Sequence, residues 1–168
     1  MQHPHPRPPT NPAQVADHLQ VVQLLNTFGA TIDARDWDGY RALFDDPVAF
    51  DYSSIGGPAG SLSPDEVAEG ARHDLGGFDH TQHAVTNHVV ALDGDRATCE
   101  AHVRAVHVIR PHEDALVTSG DPLFENGGHY RAGLVRRDGG WKIREWTFTQ
   151  LWSRGNGGLF EVARSRQA

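Results

Sequence analysis

The sequence predicts a single α+β domain in which helices come first and an antiparallel sheet follows. Apolar residues recur with helical spacing in most of the first 75 residues, and the remainder contains four strand candidates separated by turn signals. The chain has 168 residues, of which 38% are hydrophobic, so it is long enough to bury one core with a cavity inside it. Helices followed by antiparallel strands pack in layers, and we expect one helical layer against one sheet.

The first half of the chain begins with an arm, followed by two predicted helices. Residues 1–12 contain five prolines, which cannot support a helix, and we expect this arm to be disordered. Over residues 12–32 the apolar positions recur at three- and four-residue steps, which is the pattern of an amphipathic helix. A second helix is predicted around 37–44, then a short strand at 48–52 and a flexible loop at 56–60.

A third helix and the predicted sheet complete the domain. Ser63 has the properties of a helix N-cap, because a proline and two acidic residues follow it, and we expect a helix from here to about residue 75. Four strand candidates follow, separated by glycine-containing turns, at 80–92, 96–110, 124–137 and 141–152. We therefore predict one domain at 13–153 and a C-terminal tail at 154–168.

Charge and composition restrict the partners of the protein. The formal net charge is −7 and no basic cluster occurs, which argues against nucleic acid and anionic membranes as partners. The sequence has no apolar run of membrane-spanning length and no signal peptide, so we expect a cytoplasmic protein. Its single lysine among 15 basic residues indicates a GC-rich bacterial genome. The expected partner is a small-molecule substrate that is mostly neutral.

One histidine interrupts an otherwise apolar strand face. In the segment 99–109 every second residue is small or apolar except His107, whereas the opposite face includes a glutamate, a histidine and an arginine. Taken alone, a histidine at such a position is as often a satisfied core residue as a functional one. The one cysteine, Cys99, lies on the same face, and we expect it to be a core residue rather than a nucleophile.

The preceding strand candidate contains a second informative histidine. His83 lies on the same strand face as Val85 and Asn87. The other face carries residues of similar polarity, so the alternation does not decide which of the two faces is buried.

Four short motifs in register resemble scytalone dehydratase and the wider SnoaL-like group of polyketide cyclases and dehydratases. They are the segment 32–38 (IDARDWD), Phe50-Asp51-Tyr52, Thr81-Gln82-His83 and Val106-His107. Their order and spacing match over most of residues 14–152. The resemblance implies the cone-shaped, cystatin-like α+β barrel of nuclear transport factor 2, in which a curved antiparallel sheet and three N-terminal helices enclose a deep pocket. It also implies that the face of the strand with His83 is the inner one.

The same resemblance implies an acid–base site that uses no metal and no cofactor. The paired histidines of the family would be His83 and His107. The aspartate on its helix would be Asp33, and the tyrosine on its strand would be Tyr52.

This chain departs from scytalone dehydratase at positions that affect substrate binding. Ile32 stands where the family enzyme has a second tyrosine, so the pair of phenols that holds a water on the substrate carbonyl is incomplete. Gly128 and Tyr130 stand in place of a serine and an asparagine of the family, and Tyr130 offers a phenol from another wall. Together with Asn87 and Val103 on the inner strand faces, Ile32 and Tyr130 are the residues that we expect to contact the substrate.

These residues suit the elimination of water from a β-hydroxy carbonyl compound. That reaction needs a base next to the carbonyl, a hydrogen-bond donor for the developing enolate and an acid for the departing hydroxyl. We assign His83 as the base, oriented by Asp33, with Tyr52 as the donor and His107 as the acid, and the roles of the two histidines are interchangeable in this assignment. We therefore expect a cofactor-free dehydratase of secondary metabolism.

The same residues also allow other interpretations. A polyketide cyclase or isomerase would form the same enolate without loss of water, and a non-catalytic module would only bind a small ligand. Asp33 also suits a helix end, and Tyr52 and Tyr130 also suit plain wall aromatics. Two histidines with a carboxylate also form non-haem iron sites, but a carboxylate that orients a histidine is typical of a metal-free site. An exposed sheet face with aromatic residues favours a homodimer or homotrimer.

Overall fold

Four helices and six strands form the part of the chain that the computed structural model describes, residues 8–111 and 121–167. The helices are α1 (Pro12–Ala34), α2 (Trp37–Arg41), α3 (Pro64–Leu75) and α4 (Leu159–Ser165). The strands are β1 (Phe44–Asp51), β2 (Ala59–Leu62), β3 (His80–Asp93), β4 (Arg96–Val108), β5 (Leu123–Arg137) and β6 (Gly140–Gly155). A short 3-10 helix, Ser53–Ile55, follows β1. The α+β class expected from the sequence is confirmed.

The six strands form one curved sheet in the order β2-β1-β6-β5-β4-β3. β1 and β6 run parallel, and all other neighbouring pairs are antiparallel. Tight turns join β3 to β4 and β5 to β6, as the glycine-containing turn signals predict. α1 packs against β3, β4 and β6, so it covers the inner face of the sheet.

The helices begin and end where the sequence provides capping groups. Asn11 caps α1 through its side chain, and Ser63 caps α3 as the sequence predicts. α1 ends at Arg35, whose backbone is in the left-handed region, with φ 59°, and whose N–H closes the last turn. Asp33 belongs to this last turn, so the end of α1 places its carboxylate beside β3.

The hydrophobic core lies between α1 and the inner face of the sheet. Val21, Leu25 and Phe28 of α1 are fully buried. The ring of Phe28 stacks on Trp146 of β6, with 4.0 Å between the ring centroids. The inward-facing residues of β4 are mostly alanine, cysteine and valine, and such small side chains leave room for a pocket.

A fourth helix lies in the segment for which the sequence predicts a C-terminal tail. α4 packs against α3, with Leu159 and Ala163 buried, and Arg164 pairs with Asp74 of α3 at 3.2 Å. The segment from residue 154 to 167 therefore contributes the end of β6 and a packed helix to the domain.

Other segments also differ from the expectation. The flexible loop predicted at 56–60 ends before residue 59, because β2 begins at Ala59 and pairs with β1. The second helix is shorter than 37–44, because β1 already begins at Phe44. Residues 1–7, most of the predicted arm, lie outside the described residues. Within the described part of the chain, no helix is both long and apolar enough to cross a membrane.

A β-bulge in β3 reverses the alternation of inward-facing and outward-facing side chains along this strand. The pairing with β4 shifts between Thr86 and Val89, and Asn87 has a left-handed backbone with φ 56°. Beyond the bulge Val90 is buried, whereas Val89 is 48% exposed. The prediction that Asn87 faces the pocket is therefore wrong, because its side chain is exposed and lies against His102 on the outer face.

Candidate active site

A small pocket lies between the helices and the inner face of the sheet. Its volume is about 160 Å³, whereas one water molecule requires only ~10–15 Å³. The lining side chains are mainly apolar and aromatic, and all four helices contribute to them. The polar groups come from two histidines, three tyrosines, one asparagine and two acidic residues. This composition is typical of a site for a small organic molecule.

Asp33 and His83 form a hydrogen-bonded pair at one wall of the pocket. Nδ1 of His83 donates to Oδ1 of Asp33 at 2.8 Å, and the backbone N–H of His83 donates to Oδ2 at 2.7 Å. Burial acts to raise the pKa of Asp33, but the hydrogen bonds and the charge of His83 outweigh it and lower that pKa. Asp33 is therefore an ionised acceptor, which keeps a proton on Nδ1 and leaves Nε2 of His83 to react.

Thr81 also bonds the carboxylate of Asp33, and Arg35 bonds Thr81. The hydroxyl of Thr81 donates to Oδ1 of Asp33 at 3.0 Å and accepts from Nη1 of Arg35 at 2.8 Å. A continuous chain of hydrogen bonds therefore runs from Arg35 through Thr81 and Asp33 to His83, and it joins the end of α1 to the start of β3.

His107 lies beside His83 on the neighbouring strand, in an apolar environment. It is 3% exposed, and the rings of Phe78, Phe124 and Phe160 have centroids 5.2, 6.0 and 5.1 Å from its own. Its Nδ1 has no hydrogen-bond partner in the described part of the chain. Burial, and after it the charge of His83, lowers the pKa of His107 to about 3. The ring is therefore neutral at neutral pH.

Two tyrosine hydroxyls meet at a third side of the pocket. Nε1 of Trp146 donates to the hydroxyl of Tyr52 at 3.2 Å, and a hydrogen bond with Tyr130 also acts on that hydroxyl. Burial raises the pKa of Tyr52 to about 12, and burial with the charge of Tyr52 raises the pKa of Tyr130 well above its usual value. Both phenols therefore stay protonated at neutral pH, and Tyr52 can donate a hydrogen bond to a ligand.

The structure brings seven of the eight predicted site residues to this pocket. Six of them line it: Ile32, Tyr52, His83, Val103, His107 and Tyr130. Asp33 adjoins it through its bonds to His83. The rings of the two histidines are 5.5 Å apart and nearly perpendicular, at 89°. Asn87 is the exception, because the bulge in β3 turns it to the outer face.

Asn126 and Phe160 are among the pocket residues that were not predicted from the sequence. Asn126 on β5 is 8% exposed, lines the pocket and donates to Gln150 at 3.2 Å. Its signal was the strand alternation that also places Tyr130 inside. Phe160 lines the pocket from α4 and packs on His107. Its signal was the apolar spacing after the glycines at 157–158, which is that of a short helix.

The site offers proton chemistry. No group of three His, Cys, Asp or Glu side chains within 8–111 and 121–167 is arranged to hold a metal ion. Asp33 directs both carboxylate oxygens at His83 and Thr81. What remains is a carboxylate-paired histidine, a neutral histidine and a phenol donor in an apolar pocket, the groups that general acid–base catalysis requires.

Comparisons with known proteins agree with this architecture. A family model described as a SnoaL-like domain matches residues 13–147. An uncharacterized protein of Mycobacterium tuberculosis is 29% identical over 133 residues, which cover 78% of this chain and 83% of that protein.

Two solved structures extend the comparison to the fold. The structure of the Kfla4162 protein from Kribbella flavida has a TM-score of 0.78 at 28% identity and covers 89% of this chain and 98% of its own. A protein from Novosphingobium aromaticivorans, assigned as a scytalone dehydratase, has a TM-score of 0.69 at 17% identity and covers 84% of this chain and 89% of its own. The second likeness concerns the fold alone. The expected fold, that of nuclear transport factor 2, is confirmed.

Proposed function

The chain belongs to the SnoaL-like domain family, and on that premise we propose that it is a lyase, a cofactor-free dehydratase of small cyclic or polyketide-like β-hydroxy carbonyl compounds. One observation carries the proposal: in an apolar pocket, a carboxylate-paired His83 lies beside a neutral His107, with 5.5 Å between the ring centroids. Interactions with developing charge are stronger in such a pocket than in water. The fold shared with an assigned scytalone dehydratase also favours elimination of water.

His83 is the base of the proposed reaction. Asp33 keeps Nδ1 protonated, so Nε2 takes the proton from the carbon next to the carbonyl, and the electron pair of that C–H bond passes into the enolate. Tyr52 donates a hydrogen bond to the carbonyl oxygen as negative charge develops there. With a pKa of about 12, the hydroxyl of Tyr52 stays protonated while it does so.

The same proton then goes to the departing hydroxyl. The carbonyl re-forms, the C–O bond at the β-carbon breaks, and Nε2 of His83 returns its proton to the leaving oxygen. Water and an unsaturated carbonyl compound result, and His83 is neutral again. We do not assign His107 as the acid that the sequence analysis expects, because a histidine with a pKa of about 3 is not doubly protonated at neutral pH. We assign His107 to neutral hydrogen bonding with the substrate.

Deuterium exchange tests the first step of this reaction. In deuterated buffer, we expect the wild type to exchange the proton next to the carbonyl of cyclic β-hydroxy ketones, followed by NMR, and to release a product that is lighter by one water in mass spectra. His83→Ala should lower both rates by ~10²–10⁴-fold, the usual contribution of one proton-transfer group. His102→Ala is the matched control, because His102 lies on the outer face of β4.

Each other outcome identifies an alternative. Exchange that depends on His83 but leaves the mass of the compound unchanged would indicate a cyclase or isomerase. Ligands that bind without any exchange would contradict the enzymatic proposal and indicate a non-catalytic binding module.

A further inference from the structure

The guanidinium of Arg35 is held against the end of α1 and the start of β3. Its Nη1 donates to the hydroxyl of Thr81 at 2.8 Å and to the carbonyls of Ile32 and Asp33, each at 3.2 Å. Its Nη2 donates to the carbonyl of Phe78 at 2.9 Å. These bonds fix the guanidinium beside Thr81, whose hydroxyl donates to the carboxylate of Asp33.

The backbone of Arg35 is unusual for an arginine. Its φ of 59° lies in the left-handed region, where a Cβ is disfavoured, and glycine is the common residue just beyond a helix C-terminus. An arginine at this position indicates that its side chain contributes something that glycine does not provide.

Arg35 and Asp33 interact electrostatically. Burial lowers the pKa of the half-buried Arg35, and the charge of Asp33 opposes that shift, so the two groups interact electrostatically. Arginine remains cationic at every working pH. A carboxylate bonded to a histidine favours the doubly protonated ring, whereas a cation and a hydrogen-bond donor on that carboxylate weaken this effect.

We propose that Arg35 is a positioning residue for the Asp33–His83 pair: it acts through Thr81 on the carboxylate and balances its charge, so that Nε2 of His83 stays unprotonated and ready to accept a proton. This inference rests on the proposed function, in which His83 is the base.

The other ionisable groups around His83 do not replace Arg35 in this role. They lie on β4, after β1, on β5, on α2 and on α3, and they are His107, Tyr52, Tyr130, Tyr40, Glu66 and Asp74. The first four are neutral at neutral pH, and the last two are carboxylic acids, so none of them supplies a positive charge. Among the described residues, Arg35 is the cation bonded directly to the Asp33 network.

NMR of the histidine rings in the full-length protein, recorded between about pH 5 and pH 9, tests the proposal. In Arg35→Met, which removes the charge and retains an unbranched stem, we expect the ring of His83 to become doubly protonated at a pH about one unit higher than in the wild type. The acidic limb of the pH–activity profile should move in the same direction by the same amount. Arg35→Lys, which keeps the charge, should lie closer to the wild type.

Arg137→Met is the matched control. Arg137 also joins two elements, with bonds of 2.9 and 2.7 Å to Asp45, but it does not line the pocket. It should lower thermal stability without moving the His83 titration. The proposal is overturned if Arg35→Met behaves like this control, because Arg35 would then be purely structural.

A second pair of variants covers the case in which Arg35→Met does not fold. Thr81→Val removes the hydroxyl that links Arg35 to Asp33, and Thr81→Ser keeps it. We expect the His83 titration to move upward only in Thr81→Val, and no movement in either variant would reject the connection. Because the NMR measurement needs no substrate, a shifted titration without turnover would reject the proposed reaction and leave the role of Arg35 intact.

Discussion

Two walls of the pocket each contain a histidine, one in a polar and the other in an apolar environment. At the wall formed by α1 and β3, His83 is bonded to an ionised carboxylate that Thr81 holds in turn. At the wall formed by β4 and α4, His107 is surrounded by aromatic rings, and its Nδ1 lacks a partner among the described residues. Burial at the second wall opposes a positive charge on the ring of His107. The two histidines therefore have different surroundings, although the sequence alone makes them interchangeable.

The difference originates in the secondary structure behind each wall. The first wall is the end of a helix, where side chains of the last turn, Asp33 among them, reach the neighbouring strand with polar groups. The second wall receives an apolar helix face, because α4 directs Phe160 onto His107 and Phe78. The end of a helix therefore supplies hydrogen bonds at the first wall, and the face of a helix supplies burial at the second.

The largest expected effect comes from Asp33→Asn, which changes the carboxylate that is bonded to His83 at the first wall. An amide offers one acceptor where the carboxylate offers two, and its NH₂ would turn a donor toward the His83 ring. The ring would then carry its proton on Nε2 and would lose the nitrogen that acts as base. We expect kcat/KM to fall by ~10³–10⁴-fold, at the upper end for a proton-transfer group.

Asp36→Asn provides the control for this substitution. Asp36 caps α2 by accepting from the backbone of Gly39, and asparagine caps equally well, so activity should stay near that of the wild type. If folded Asp33→Asn retained activity within about tenfold, the assignment of His83 as the base would be wrong.

The burial of His107 at the second wall predicts that the stability of the protein depends on pH. The unfolded chain protonates His107 near pH 6.5, whereas the folded protein does so only near its pKa of about 3. Between these values the unfolded state binds more protons, so the free energy of unfolding falls as the pH falls. Between about pH 7 and pH 4.5, this one residue should cost about 2–3 kcal/mol of stability.

Chemical denaturation of His107→Leu at several pH values measures this contribution. The variant should lose less stability than the wild type on acidification, by about the amount above, because leucine has no proton to bind. His102→Leu is the control and should keep the acid dependence of the wild type, since His102 lies exposed on the outer face of the same strand. Parallel curves for the wild type and His107→Leu would show that His107 is not held neutral by burial.

The sequence contained most of the framework of this site. The regular alternation of β4 placed His107 inside, and the motifs shared with SnoaL-like proteins brought Asp33, His83 and Tyr52 together. These features depend on local periodicity and on a shared fold. They can therefore be predicted without knowledge of the exact packing.

Other features of the site depend on tertiary structure. The neutrality of His107 results from rings on β5, on α4 and before β3, which the chain order does not bring together. The contact of Arg35 with Thr81 spans 46 positions and requires the left-handed turn after α1. A bulge needs only one residue in an unusual conformation. Strand alternation therefore did not predict that Asn87 turns to the outer face.

The smallest expected effect tests the bulge. In Asn87→Ala, a Cβ without a local hydrogen bond must adopt φ 56°, which asparagine tolerates better, so the free energy of unfolding should fall by about 1 kcal/mol. Asn87→Gly, which accepts that backbone freely, should stay near the wild type in denaturation experiments. Both variants should keep the kcat/KM of the wild type, because the side chain lies on the outer face against His102. A fall in kcat/KM in both variants would place Asn87 at the substrate and would require β3 to pair with β4 without the bulge.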